Sequence, residues 1–111
     1  MLLLSPDFVV VLCTAPPDSS GGLARLIVEE RLAACVNISQ VRSTFVWEGK
    51  VDEAAEDLLI VKTERNKVDD LAARIREVHP YELPEIIVLP IAGGDEGYLA
   101  WISKTVREIS S

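Results

Sequence analysis

Two side chains in this sequence are the candidates for binding copper-type cations through soft or borderline donor atoms. His79 is the only imidazole among 111 residues, and Cys35 is one of two thiols. Imidazole and thiolate suit copper and zinc, which makes these two residues the metal-ligand candidates. The sequence has no spaced ligand motif around them, so further thiolate or carboxylate donors would have to come from another part of an assembled protein.

Each candidate ligand also has a structural interpretation. His79 precedes Pro80 at the predicted end of a helix, where an imidazole can interact with the last carbonyl groups, and both interpretations of this residue stay open. Cys35 enters a predicted strand and Cys13 lies in the middle of another. Because free thiols are among the most commonly buried side chains, packing is the favoured interpretation for both cysteines.

Several other residues could bind a ligand without a metal. Lys62 ends an apolar strand, where its ammonium could meet an anion in a cleft, although an ion pair with an acidic neighbour is the favoured interpretation. Amphipathic aromatic residues are more typical of interfaces and cores than of ligand cages; they are Trp47, Tyr81, Tyr98 and Trp101. A carboxylate cluster is expected to face water and attract cations only weakly; it comprises Asp52, Glu53, Glu56 and Asp57.

Composition limits the partners of these groups. The chain is 49% hydrophobic and carries a formal net charge of −7, which predicts one globular domain over residues 1–111 and disfavours nucleic acid and anionic membrane surfaces. No apolar run approaches the roughly 20 residues of a membrane-spanning helix. Two cysteines make no disulfide framework and no export signal is visible, so reduced thiols and a cytoplasmic location are expected.

Hydrophobic periodicity predicts the element order βαββαβ followed by a C-terminal helix. The α+β fold expected from this order is a ferredoxin-like sandwich with the first and third strands in the centre of the sheet. The predicted elements are a strand over 8–15, a helix capped at Asp18–Ser20 and running to about 33, a hairpin over 35–63 that pauses at 39–40 and turns at 48–50, a helix capped by Asn66 and ended by His79-Pro80, a strand over 85–91, a break at Gly93-Gly94, and a helix from Asp95 with Leu99, Ile102, Val106 and Ile109 on one face.

The predicted edge strand over 85–91 does not suit a solitary chain. It carries no charge between Ile86 and Ile91, whereas exposed edges are normally blunted by charged side chains. Further copies of the chain are therefore expected to cover this edge and the long hairpin, closing a ring with clefts at the subunit boundaries.

Five segments, in this order and spacing, resemble the CutA family of divalent-cation tolerance proteins. They are AACVNI (33–38), WEGK (47–50), KT (62–63), HPYELPE (79–85) and YLAWI (98–102). The resemblance covers nearly the whole chain and implies a ferredoxin-like homotrimer in which the long hairpins, formed by the second and third predicted strands, pair between neighbours. It also implies a role in tolerance of copper and other divalent cations, and in animals the anchoring of an esterase, but no settled enzymatic reaction.

The family's junction cysteine, strand-end lysine and histidine before Pro-Tyr fall on Cys35, Lys62 and His79. The resulting hypothesis is a cytoplasmic homotrimer that requires no cofactor and binds divalent copper, another divalent cation or a small ligand in inter-subunit clefts. The cleft residues are Lys62, Tyr81, Glu85, Trp47 and Trp101, with His79 and Cys35 as metal ligands. The alternatives are a structural, protein-anchoring or signalling trimer and, less favoured, an enzyme with His79 as base near Lys62.

Overall fold

The computed structural model describes residues 1–108, which form an α+β structure. Its helices and strands, in chain order, are β1 Leu2–Leu4, β2 Phe8–Ala15, α1 Pro17–Glu29, β3 Cys35–Trp47, β4 Lys50–Glu64, a 3₁₀ turn Arg65–Lys67, α2 Val68–Val78, β5 Ile87–Pro90, β6 Gly93–Asp95 and α3 Glu96–Arg107. The predicted position Ile109 lies outside the described residues.

Four strands form the main sheet in the order β3-β4-β2-β5, with every neighbouring pair antiparallel. The first and third long strands of the chain, β2 and β4, are therefore central, as the sequence predicts. β3 and β4 pair in continuous register from Cys35 opposite Lys62 to Trp47 opposite Lys50, so the hairpin extends well beyond the rest of the sheet. Glu48 and Gly49 have φ of 52° and 78°, which matches the twist of a tight hairpin turn.

One face of this sheet is packed against α1 and α2. Successive side chains of a strand point to opposite faces, and alternate residues of β2 and β4 meet the apolar stripes of both helices. The fully buried hydrophobic strand residues on this covered face are Val9, Val11, Cys13, Ala15, Leu59 and Val61. The helices contribute Leu23, Ile27, Leu71 and Ile75 to the same core.

The opposite face, the open face, is covered by the chain only at one end. There α3 packs Leu99, Ile102 and Val106 against Phe8 and Ala34. The remainder of the open face includes six apolar residues that are only partly buried: Val10, Leu12, Leu58, Ile60, Ile87 and Leu89. Ile87 and Leu89 are 46% and 44% exposed.

The predicted caps of α1 and α2 are wrong. Helix α1 begins at Pro17 with Pro16 as its N-cap and no side-chain cap, because proline at the first helical position has a suitable φ and needs no hydrogen-bond acceptor. Asn66 lies inside the 3₁₀ turn, and α2 likewise starts without a side-chain cap. Helix α1 also ends at Glu29, earlier than predicted, in a reversal at Arg31, whose φ is 59°.

Three predicted strand boundaries also differ. The pause at Ser39 and Gln40 is absent because both residues keep their place in the ladder, opposite Leu58 and Asp57. The last strand of the main sheet is only Ile87–Pro90. Gly93 does not break the structure but pairs with Leu4, and a Cβ there would lie 2.6 Å from the Leu4 side chain, so this approach requires glycine.

Candidate functional site

The first group of candidate residues, the thiol cluster, lies where β3 begins. Cys35 stands directly opposite Lys62, and the Lys62 Nζ is 4.0 Å from the Cys35 Sγ. The thiol cluster also contains Tyr98 and Trp101, one helical turn apart on α3 with ring centroids 5.4 Å apart. Within residues 1–108 no carboxylate lies within 4.0 Å of the Lys62 ammonium, so the favoured ion-pair interpretation of Lys62 is wrong for this part of the chain.

Tyr98 connects the thiol to α3. Burial raises the pKa of Tyr98, and the neighbouring Cys35 sulfur raises it further. Asp95 caps α3 by accepting a hydrogen bond from the Tyr98 N–H at 3.0 Å, as the sequence predicts, and this cap fixes where the aromatic pair begins. The thiol cluster thus combines a thiol, an ammonium and a phenol on rigid elements.

The second group, the histidine cluster, lies at the end of α2 and consists of His79, Tyr81, Glu56 and the Thr14 carbonyl. His79 ends the helix in an extended conformation, as expected for a residue before proline. It is 8% exposed, and its Nε2 lies 2.7 Å from the Thr14 carbonyl oxygen. The Tyr81 N–H donates to the His79 Nδ1 at 3.0 Å.

These two hydrogen bonds define the tautomer of His79. Because Nδ1 accepts from a backbone N–H, the neutral ring must carry its proton on Nε2, which donates to the Thr14 carbonyl. Both ring nitrogens are therefore engaged in tying α2 and the following loop to β2. A cation could bind this imidazole only by displacing one of those two partners.

The carboxylate cluster is not wholly solvent-facing, so that expectation is wrong for two of its four residues. Glu56 and Asp57 are buried at 7% and 8% exposure, where β4 enters the sheet. Glu56 accepts a hydrogen bond from the Tyr81 hydroxyl at 2.8 Å, and Asp57 accepts one from the Ser20 hydroxyl at 2.5 Å. Burial, reinforced by the Glu56 carboxylate, raises the pKa of Tyr81 to about 12.

The two clusters are separated along the sheet. Cys35 is opposite Lys62 whereas Thr14, the partner of His79, is opposite Leu58, which puts about 13 Å of strand between them. The two sequence-derived metal ligands are therefore not brought together within one chain. Among residues 1–108 no group of three or more His, Cys, Asp or Glu side chains is arranged to hold a metal ion.

The remaining candidates have separate positions. Glu85 is exposed in the loop before β5. After burial, its negative charge and that of Glu56 are the further causes that raise the pKa of the Cys13 thiol. Trp47 lies at the tip of the hairpin, 48% exposed and remote from both clusters. The proximity of Tyr98 to Cys35 was not predicted from the sequence; the available signal was the spacing of three residues between Tyr98 and Trp101 on a predicted helix. Within residues 1–108, no helix has the length and apolarity to cross a membrane.

Comparisons with known proteins agree with this architecture. The family model described as "CutA1 divalent ion tolerance protein" matches residues 9–105. The divalent-cation tolerance protein CutA of Pectobacterium atrosepticum is 41% identical over 103 residues, covering 91% of this chain and 94% of its own. The chloroplastic protein CutA 1 of Oryza sativa is 45% identical over 90% of this chain, which spans 58% of that longer protein.

A solved structure shows the same fold. CutA from Synechococcus elongatus PCC7942 superposes with a TM-score of 0.92 at 30% identity, covering 96% of each chain. The segment matched by the family model, residues 9–105, includes both clusters and nearly all of the described helices and strands. This chain belongs to the CutA1 divalent ion tolerance protein family.

Proposed function

We propose that this chain forms a cytoplasmic homotrimer of ferredoxin-like subunits that binds a divalent cation, copper foremost, in clefts between subunits. Family membership and the similarity to the Pectobacterium protein, which is named for divalent-cation tolerance, support binding of a cation. Two free cysteines support a reducing compartment. The proposed activity is binding alone, without a catalysed reaction or a required cofactor.

The open face is the observation that carries the trimer. Its apolar residues are partly exposed, and β5 at its margin has no charged side chain. A large contiguous apolar surface of this kind marks an interaction site, and an uncharged sheet edge favours pairing with another chain. Three copies related by a closed rotation would cover all three open faces at once.

The thiol cluster is the proposed position of the cleft. Cys35, Lys62 and the exposed faces of Tyr98 and Trp101 border the open face, so a second subunit laid on that face would enclose them. The Cys35 sulfur is the soft donor that copper prefers, and a neighbouring copy would supply the remaining ligands. His79, with both nitrogens engaged, is the weaker ligand candidate.

Two measurements test the proposal. Sedimentation at low micromolar concentration is expected to give a stable trimer, and a soluble single-chain species would contradict it. Calorimetric titration with Cu²⁺ is expected to show micromolar or tighter binding that Cys35→Ser weakens at least about tenfold, a loss of about 1.4 kcal/mol. Lys50→Gln at the hairpin tip is the matched surface control and should leave the affinity unchanged.

A protein-anchoring or signalling trimer without metal chemistry is the second candidate. It is favoured by the engaged nitrogens of His79 and by the exposed apolar hairpin tip, which includes Val46 and Val51 at 70% and 75% exposure. Trimeric sedimentation combined with no heat of Cu²⁺ binding would support this function and reject the copper proposal.

A further inference from the structure

We propose that Cys35 and Lys62 form a reversible covalent sulfur–nitrogen cross-link when the thiol is oxidised by hydrogen peroxide. The two side chains are neighbours across the β3–β4 ladder and tie the start of the hairpin to its end. This inference goes beyond the proposed cation binding and does not depend on a bound metal.

The geometry brings the reacting atoms together without a change in the backbone. Cys35 and Lys62 are directly opposed, and the adjoining Ala34 N–H donates to the Lys62 carbonyl at 3.0 Å, which fixes the register. The Nζ is already 4.0 Å from the Sγ. Because lysine has four rotatable side-chain bonds, closing the remaining gap requires only a rotamer change.

No other thiol within the chain can take the place of Lys62. Cys13 is fully buried on the covered face, whereas Cys35 lies opposite Lys62, which in turn lies opposite Val10, on the other side of the sheet. Burial raises the pKa of Cys13 to about 11, with the Glu85 and Glu56 carboxylates adding to the effect, and this keeps it in the unreactive thiol form. Oxidised Cys35 therefore meets an amine instead of a second sulfur.

The chemistry takes two balanced steps. The Cys35 sulfur attacks one peroxide oxygen, the O–O bond breaks, and the products are a sulfenic acid and water; sulfur loses two electrons and peroxide gains them. The unprotonated Lys62 nitrogen then attacks the sulfenic sulfur, the S–O bond breaks and the S–N bond forms. Starting from the ammonium, this second step releases one water and one proton and involves no further oxidation.

Mass spectrometry of the assembled protein tests the inference. After treatment with equimolar hydrogen peroxide, the intact chain is expected to lose the mass of two hydrogens. Tryptic digestion should yield segment 32–42 joined to segment 51–65, with cleavage after Lys62 blocked. Dithiothreitol should restore the separate peptides, because thiols reduce S–N bonds.

Two variants separate the cross-link from other oxidation. Lys62→Arg keeps the positive charge but removes the amine, so the two-hydrogen loss should fall to background while Cys35 accumulates sulfenic or sulfinic acid. Cys35→Ser should show neither product, and unchanged circular dichroism would verify that both variants fold. The inference is wrong if wild-type Cys35 only gains oxygen, if it forms a disulfide with another copy, or if Lys62→Arg retains the same mass loss.

Discussion

Leu58 and Leu59 are adjacent leucines on the same central strand, yet they have different surroundings. Leu59 points to the covered face, where α1 and α2 leave it 0% exposed, and Leu58 points to the open face and is only partly buried. Both faces are apolar here because β2 is hydrophobic at nearly every position and β4 is continuously hydrophobic over residues 58–61. The covered face is therefore buried by helices of the same chain. The open face is equally apolar along these strands, but outside the end covered by α3 no helix within residues 1–108 packs on it.

This difference separates the stability of the folded single chain from the stability of an assembly of copies. Burial on the covered face contributes to the folding of one chain, and burial on the open face contributes to the association of copies. Substitutions on the two faces should consequently affect different measurements, even where the residue type and the strand are the same.

The largest expected effect is on association. Leu89→Glu places a charge on the open face opposite Val10, and in an assembled protein this charge would be buried without a partner, at a cost of about 4 kcal/mol per copy. Sedimentation should show dissociation to folded single chains.

Ala73→Glu, at an exposed position of α2, adds the same charge away from the open face and is the control. If Leu89→Glu sediments like the wild-type protein, the open face is not the interface.

The matched leucine pair gives the next largest effect. In the dissociated Leu89→Glu background, Leu59→Ala should lower the free energy of unfolding by about 3 kcal/mol because it leaves a cavity in the core. Leu58→Ala in the same background should cost less than about 1 kcal/mol, since water already reaches that site. Urea denaturation measures both, and equal losses would mean that the two faces do not differ in the single chain.

The sequence predicted the main sheet well because each of its long strands has a strong local signal. The continuous apolar runs of β2 and the second half of β4 indicate burial on both faces, and Glu48-Gly49 supplies the φ values that a tight turn needs. The uncharged strand near Ile87 correctly suggested a surface that the chain leaves uncovered. These features depend on neighbours in the sequence, so periodicity could find them.

The errors arose where a distant segment decided the outcome. Gly93 has low strand propensity, but Leu4 pairs with it, and that partner is remote in sequence. Glu56 and Asp57 look like solvent-facing residues of an acidic hairpin, and only the positions of Tyr81 and Ser20 bury and satisfy them. For the same reason the sequence predicted the side chains of the two clusters but neither the Thr14 carbonyl nor the separation between the clusters.

A smaller effect is expected where α3 covers the end of the open face. Glu64 is 4% exposed and accepts hydrogen bonds from the Ser103 hydroxyl at 2.8 Å and from Arg107 at 3.1 Å. Arg107→Ala removes one partner of this buried carboxylate and should lower the free energy of unfolding by about 2 kcal/mol. This is less than the loss expected for a fully buried pair, because the arginine is exposed. Arg25→Ala, which removes an exposed ion pair on α1, is the control and should cost a few tenths of that amount.

The smallest expected effect distinguishes the two cysteines by the face they occupy. Burial, with the charges of Glu85 and Glu56, raises the pKa of Cys13 from 9.0 to about 11. The unfolded chain therefore loses this proton at lower pH than the folded chain, so the stability contributed by the neutral thiol is complete below pH 9 and is lost as the pH rises towards 11. Near pH 9.5 the loss should be about 1 kcal/mol relative to pH 8, measured by urea denaturation. Cys13→Ala should abolish this part of the alkaline loss and Cys35→Ser should retain it, whereas an alkaline loss that disappears only with Cys35→Ser would place the perturbed thiol on the open face.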